Sequence, residues 1–115
     1  MKFTIKKNII LEALSNAVRA LSTKITIPVL NGILLNLTNE GLEVQASDSE
    51  LTIKTTINAK DIINIETEGR AVLQSRCLLE IIRKMPNEII NFEITENNNI
   101  KIYSDINEYI IECYN

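Results

Sequence analysis

Apolar and polar residues alternate along "KFTI", the period of a strand with one buried face, and the period then lengthens. Ile10, Leu14, Ala17, Val18 and Leu21 recur at helical spacing, with Glu12, Ser15, Asn16 and Arg19 on the opposite side. Asn8 stands just ahead of this pattern, where a side-chain oxygen can cap a helix. Beyond the loop "TKITIP", the segments "GILLNLT", "LEVQAS" and "LTIKTTI" have strand length and are divided by the turn-forming "NEG" and "DSE". Three consecutive antiparallel strands are the economical reading.

The same order then recurs. "RAVL" reads as a short strand, and "SRCLLEIIRKM" as a helix with Ser75 at its cap and Pro86 beyond its end. "IINFEI", "IKIY" and "YIIECY" read as three more strands, separated by "TENNN" and "SDINE". The chain is therefore a strand-helix-three-strand unit written twice, joined by "DIINIETEG". No residue-level repeat accompanies it, so the duplication is architectural. Two amphipathic helices side by side on one face of a combined antiparallel sheet make a single two-layer α+β domain over residues 1–115.

The second helix is apolar over more of its circumference than one core requires. Leu78, Leu79 and Ile82 form a stripe about 100° wide, and Cys77, Ile81 and Met85 form a second stripe beside it. Arg76, Glu80, Arg83 and Lys84 fill the remaining arc. The second stripe needs cover, either from the first helix or a loop of the same chain, or from a partner.

Charge sharpens this picture. The chain carries −3 overall, yet Lys6, Lys7, Arg19 and Lys24 against Glu12 give +3, and Arg76, Arg83 and Lys84 against Glu80 give +2. The remainder holds −8, so the helices are basic and the strands and turns acidic. A local positive patch attracts phosphate whatever the total charge. Solvated helix faces also carry Lys and Arg, so the patch alone does not establish a ligand. Neither helix contains an aromatic residue to stack on bases, nor a run of Arg, Asn and Gln to read base edges. Any nucleic-acid contact from this face is to backbone and independent of sequence.

Other chemistry is sparse. The chain has no histidine, which removes His-based triads and imidazole bases. Cys77 and Cys113 are far apart and outside any CxxC, so neither a disulfide framework nor a zinc site is expected, and no metal or other cofactor is implied. Asp48 and Glu50 could seed an enzyme site only within a cleft that perturbs a carboxylate; "ASDSE" is more simply a solvated turn. No apolar run reaches the roughly 18 residues of a membrane span and no leader pattern opens the chain, so a cytoplasmic protein without a membrane partner is expected. A protein-protein interaction module using Ile81 and Met85, with an incidental basic face, is the rival to a nucleic-acid role.

The opening "MKFTI", the stretch "IPVLNGILLNL", the run "LEVQASDSELTIKTTI" and the helix "SRCLLEIIRKMP" together resemble the N-terminal domain of the bacterial sliding clamp, the beta subunit of DNA polymerase III. The resemblance runs from end to end. It implies a clamp domain of the doubled unit described above, one of three per protomer, with two protomers closing head to tail around duplex DNA as a processivity factor with no catalysis of its own. It implies DNA contacts at Lys24, Arg76 and Arg83. Arg19 joins them on the charge pattern alone. It implies that Ile81 and Met85, with Cys77 at the edge, pack against the third domain of a neighbouring protomer. Around "SDINEY" such clamps often carry interface arginines, where this chain has Asp105, Ile106 and Glu108, so the charge relation there is altered or reversed. The chain ends where the family's first domain hands over to its second, so a fragment is expected, lacking the second and third domains. Polymerase and clamp loader would be met through those missing domains.

Overall fold

The computed structural model describes residues 1–19, 32–47, 51–95 and 97–113, with the backbone alone at Ser75 and Arg76. The first unit comprises β1 (Lys2–Lys6), α1 (Lys7–Arg19), β2 (Gly32–Thr38), β3 (Gly41–Ser47) and β4 (Thr52–Asn58). A single 3-10 turn (Ala59–Asp61) and β5 (Asn64–Thr67) lead to the second: β6 (Gly69–Gln74), α2 (Ser75–Lys84), β7 (Ile89–Ile94), β8 (Asn99–Tyr103) and β9 (Glu108–Glu112). The duplicated α+β unit read from the pattern is present, with boundaries displaced by a residue or two at most elements.

The strands form two antiparallel sheets rather than one combined sheet, in the orders β5-β1-β7-β8-β9 and β4-β3-β2-β6. Each unit lends its first strand to the other. β1 pairs with β7, setting Phe3 opposite Phe92 and Ile5 opposite Ile90. β6 pairs with β2, setting Leu73 opposite Ile33 and Ala71 opposite Leu35. All eight of these side chains are buried, so neither unit has a complete apolar face without the other. The Phe3 and Phe92 rings stack with centroids 4.7 Å apart and planes 2° from parallel. The join contributes β5, which pairs with the outer side of β1.

Two caps differ from the sequence reading. α1 begins at Lys7, so Asn8 lies inside its first turn and not ahead of it. α2 begins at Ser75, and Gln74 at the cap position makes no side-chain capping bond. In both cases the helix follows its strand without an intervening residue, which leaves no loop in which a capping side chain could turn back.

α1 buries Ile10, Ala13, Leu14 and Ala17 and leaves Val18 half-buried. α2 buries Leu78, Leu79, Ile81, Ile82 and Met85. The β2-β3 hairpin turns through Asn39 and Glu40 into Gly41, whose φ of 147° lies outside the range of ordinary side chains. A Cβ there would run into the Ile57 carbonyl oxygen of the neighbouring strand.

Candidate nucleic-acid interface

Strand β1 feeds α1 directly and β6 feeds α2 directly, so the interlocked sheets fix where both helices start. The two helices lie against each other. Lys7, the first residue of α1, donates from Nζ to the Met85 carbonyl at 2.6 Å and to the Arg83 carbonyl at 3.2 Å. Carbonyls at a helix C-terminus lack intrahelical partners and carry the negative end of the helix dipole, which a lysine ammonium satisfies on both counts. The start of α1 is thus fastened to the end of α2. Arg19, at the far end of α1, accordingly belongs to the end of the pair at which α2 starts with Ser75 and Arg76. The 13 residues of α1 set the two ends roughly 20 Å apart.

Arg19, Arg83 and Lys84 are exposed, and none forms an ion pair with a described residue. Three of the five cations on the strands, Lys2, Lys54 and Lys101, behave differently, while Lys6 and Arg70 are exposed and form no ion pair with a described residue. Across all five strands of the first sheet, Glu66, Lys2, Glu93, Lys101 and Glu108 alternate in sign, linked at 3.3 to 4.0 Å. Lys54 faces Glu43 at 3.9 Å on the second sheet. A hydrogen bond and the charge of Glu66 hold the Lys2 ammonium above its ordinary pKa, with Glu93 adding to the effect. Lys2, Lys54 and Lys101 are therefore partly neutralised by their neighbours, whereas Arg19, Arg83 and Lys84 form no ion pair with a described residue.

The structure separates the residues singled out in the sequence. Arg83 and Arg19 are exposed at opposite ends of the helix pair. Arg76 occupies the first turn of α2, with its side chain outside the described residues, and Lys24 falls outside them altogether. Asp48 and Glu50 also fall outside. Cys77 is half-buried.

The stripe of Cys77, Ile81 and Met85 is not surplus in the folded chain. Met85 is 0% exposed and Ile81 8%, both within the chain's own core. The helical wheel treats Met85 as a further residue of α2, but the helix ends at Lys84 and Met85 is its C-cap with ψ 124°, which turns the chain out of the helix. The covering surface comes from the same chain, as the wheel could not decide. Sequence reading missed Lys7 as a structural tie: it looked like one more basic residue, and its position at a strand-helix junction was the available signal.

Over residues 1–113 the sequence matches the family described as DNA polymerase III beta subunit, N-terminal domain. It is 36% identical over 98 residues to the beta sliding clamp of Bacillus subtilis, covering 82% of this chain and 26% of that protein. It is 32% identical over 113 residues to the beta sliding clamp of Staphylococcus aureus, covering 95% of this chain and 30% of that protein. The fold superposes on the crystal structure of the DNA polymerase sliding clamp from Bacillus subtilis with a TM-score of 0.90 at 32% identity, over 100% of this chain and 31% of that one. It superposes on the beta subunit from the DNA polymerase of Streptococcus pyogenes with a TM-score of 0.91 at 26% identity, over 100% and 30%. The chain spans less than a third of the length of these relatives.

Proposed function

The chain belongs to the DNA polymerase III beta subunit family, whose N-terminal domain it matches, and on that footing we propose that it forms one segment of a sliding clamp around duplex DNA. The observation that carries this reading is the division of charge. Arg19, Arg83 and Lys84 on the helix pair are exposed and form no ion pair with a described residue, while Lys2, Lys54 and Lys101, though not Lys6 or Arg70, are matched to glutamates on the sheets. Helices turned toward the duplex would offer cations to its phosphates, and acidic sheets turned outward would discourage DNA from wrapping the outside.

Tethering a polymerase without stalling it requires contacts that are weak, numerous and indifferent to sequence. Arg19 and Arg83 supply charge from the helix pair, Lys24 and Arg76 add to the cations of this part of the sequence, and contacts from such groups to phosphate carry no sequence information. Water-bridged contacts to phosphate oxygens exchange readily, so a bound duplex slides. The chain measures 37 × 26 × 26 Å and cannot surround a duplex alone, so it acts as residues 1–115 of a larger ring, closed by a second protomer. Polymerase and clamp loader are met elsewhere on that ring, and the chain contributes no catalysis. Of the proposed interface residues Cys77, Ile81 and Met85, Cys77 is half-buried and is the one the chain itself leaves accessible to a neighbour, while Ile81 and Met85 are buried in its own core. Among the described residues no helix is long and apolar enough to cross a membrane, which fits work in the cytoplasm.

The test is a chimera in which this chain replaces the corresponding segment of the Bacillus subtilis clamp. It should support processive synthesis on primed circular DNA. Lys24→Glu with Arg76→Glu should shorten the products, and Arg19→Glu with Arg83→Glu should do the same, with circular dichroism unchanged. Product length unaffected by either pair would remove the helices from the DNA path.

A further inference from the structure

β9 is the outer strand of its sheet, paired with β8 on one side and with no described strand on the other. Ser104 N–H donates to the Asn107 carbonyl at 2.8 Å and Cys113 N–H to the Asn98 carbonyl at 3.1 Å, which fixes the phase of the β8-β9 ladder. Tyr109 and Ile111 therefore bond inward to β8, and the N–H and C=O groups of Glu108, Ile110 and Glu112 point away from it. We infer that this edge is completed by a β-strand of a partner chain in which Lys or Arg alternates with apolar residues, and that it disfavours a second copy of itself.

The edge lacks the usual protection. Exposed edges are commonly blunted by Lys, Pro or a bulge, and β9 has none of these: it reads EYIIE, and its register runs unshifted from Glu108 opposite Tyr103 to Glu112 opposite Asn99. On its outer face Ile110 is 56% exposed, and Ile106, in the turn before it, is 73% exposed. The inner face is also incompletely covered. Ile100 and Ile102 of β8 are 0% exposed, whereas Ile111 and Tyr109, opposite them on β9, are only half-buried. A further strand would pair the outward backbone groups and cover side chains on both faces, which a helix, with its backbone bonded internally, does not.

Charge defines the chemistry of that strand. From Ser104 to Glu112 the chain carries Asp105, Glu108 and Glu112 and no Lys or Arg. Lys101 reaches Glu108 at 3.8 Å but is shared with Glu93 on its inward side, and Glu112 forms no ion pair with a described residue. A second copy paired antiparallel about Ile110 sets Glu108 opposite Glu112 twice, and like charges directly opposite destabilise a sheet. A strand with cations facing both glutamates and an apolar residue beside Ile110 is favoured at all three positions. Sliding clamps often carry arginines in this stretch, so the polarity is this chain's own. In the ring the strand belongs to the adjoining protomer, an assignment that rests on the clamp reading.

The probe is a fluorescein-labelled octapeptide alternating Lys and Val, titrated into the 115-residue chain by anisotropy and followed by amide hydrogen exchange. Saturable binding with slowed exchange at Glu108, Ile110 and Glu112 supports the proposal. So does binding at least about fivefold weaker in Glu108→Lys with Glu112→Lys, and an octapeptide alternating Glu and Val that prefers this double variant to the parent. The Lys-Val peptide with every amide N-methylated cannot donate to β9 and should not bind. Absent binding, binding indifferent to the double variant, or equal binding of the N-methylated peptide overturns the proposal. A dimer of the chain alone in sedimentation, with the same three amides slowed, also overturns it. Both glutamates are exposed, so the variant is expected to fold, and unchanged circular dichroism checks this. A processive chimera together with no peptide binding overturns this proposal and leaves the clamp reading intact. Peptide binding with an unprocessive chimera supports the polarity of the edge and removes the ring as the source of its partner.

Discussion

Lys7 Nζ and the Met85 carbonyl oxygen lie 2.6 Å apart, joining the first residue of α1 to the C-cap of α2 across 78 positions of sequence. The bond is partly buried and charge-assisted, and it satisfies carbonyls that the end of α2 cannot pair for itself. One lysine thus ties the start of one basic helix to the end of the other.

Lys7→Met should therefore lower stability by about 1.5–3 kcal/mol, since a hydrogen bond from a charged donor is lost and the carbonyls are left short of a partner. Urea denaturation checks the value. Removal of the Lys6 charge in the same assay should leave stability within about 0.5 kcal/mol of the parent, because Lys6 is exposed and forms no ion pair with a described residue.

The exchange of first strands between the two units makes a prediction about cooperativity. Phe92→Ala removes a ring stacked on Phe3 in the middle of the β1-β7 pairing, at a cost of about 3–5 kcal/mol. Each sheet contains strands of both units, so the weakened protein should still unfold in one transition by fluorescence of its tyrosines and by circular dichroism. Two separated transitions would show that the units fold independently.

At Gly41 the backbone conformation and the nearby Ile57 carbonyl both exclude a side chain. Gly41→Ala should cost at least about 1–3 kcal/mol. Asn39→Ala, in the same hairpin but exposed, should change thermal stability by no more than about 0.5 kcal/mol.

Burial pushes the Cys113 thiol above its ordinary pKa, because the thiolate is poorly solvated there. The group is an acid whose folded pKa is raised, so its effect on stability is absent below the unfolded pKa. Above that point the unfolded chain ionises first, and the folded state loses stability as pH rises. Cys113 should react with a thiol-specific reagent at pH 8 more slowly than a small-molecule thiol, and Cys113→Ser should flatten the alkaline fall in stability. A rate equal to the free thiol would contradict the burial.

Much of the fold was legible because its signals are local. Alternation along "GILLNLT" and "IINFEI" predicts strands whose ends the structure reproduces, since each strand buries one face and period two follows from that geometry. The basic character of both helices was equally visible, as charge needs no coordinates to be counted. The start points of the helices were misread by two residues at α1 and one at α2, because Asn8 and Ser75 are good caps in isolation and the direct strand-to-helix junction overrode them.

The sequence by itself determined the doubled unit, the apolar faces and the segregation of positive charge onto the helices, all of which arise from residues within a few positions of one another. Tertiary structure alone decided that the units trade their first strands, that Met85 and Ile81 are enclosed by their own chain, and that Lys7 serves a helix end while Arg83 and Arg19 stay exposed. The reason is physical: periodicity specifies that a face must be buried and charge specifies that a partner is favourable, but which distant segment supplies the cover or the partner depends on how the whole chain closes on itself.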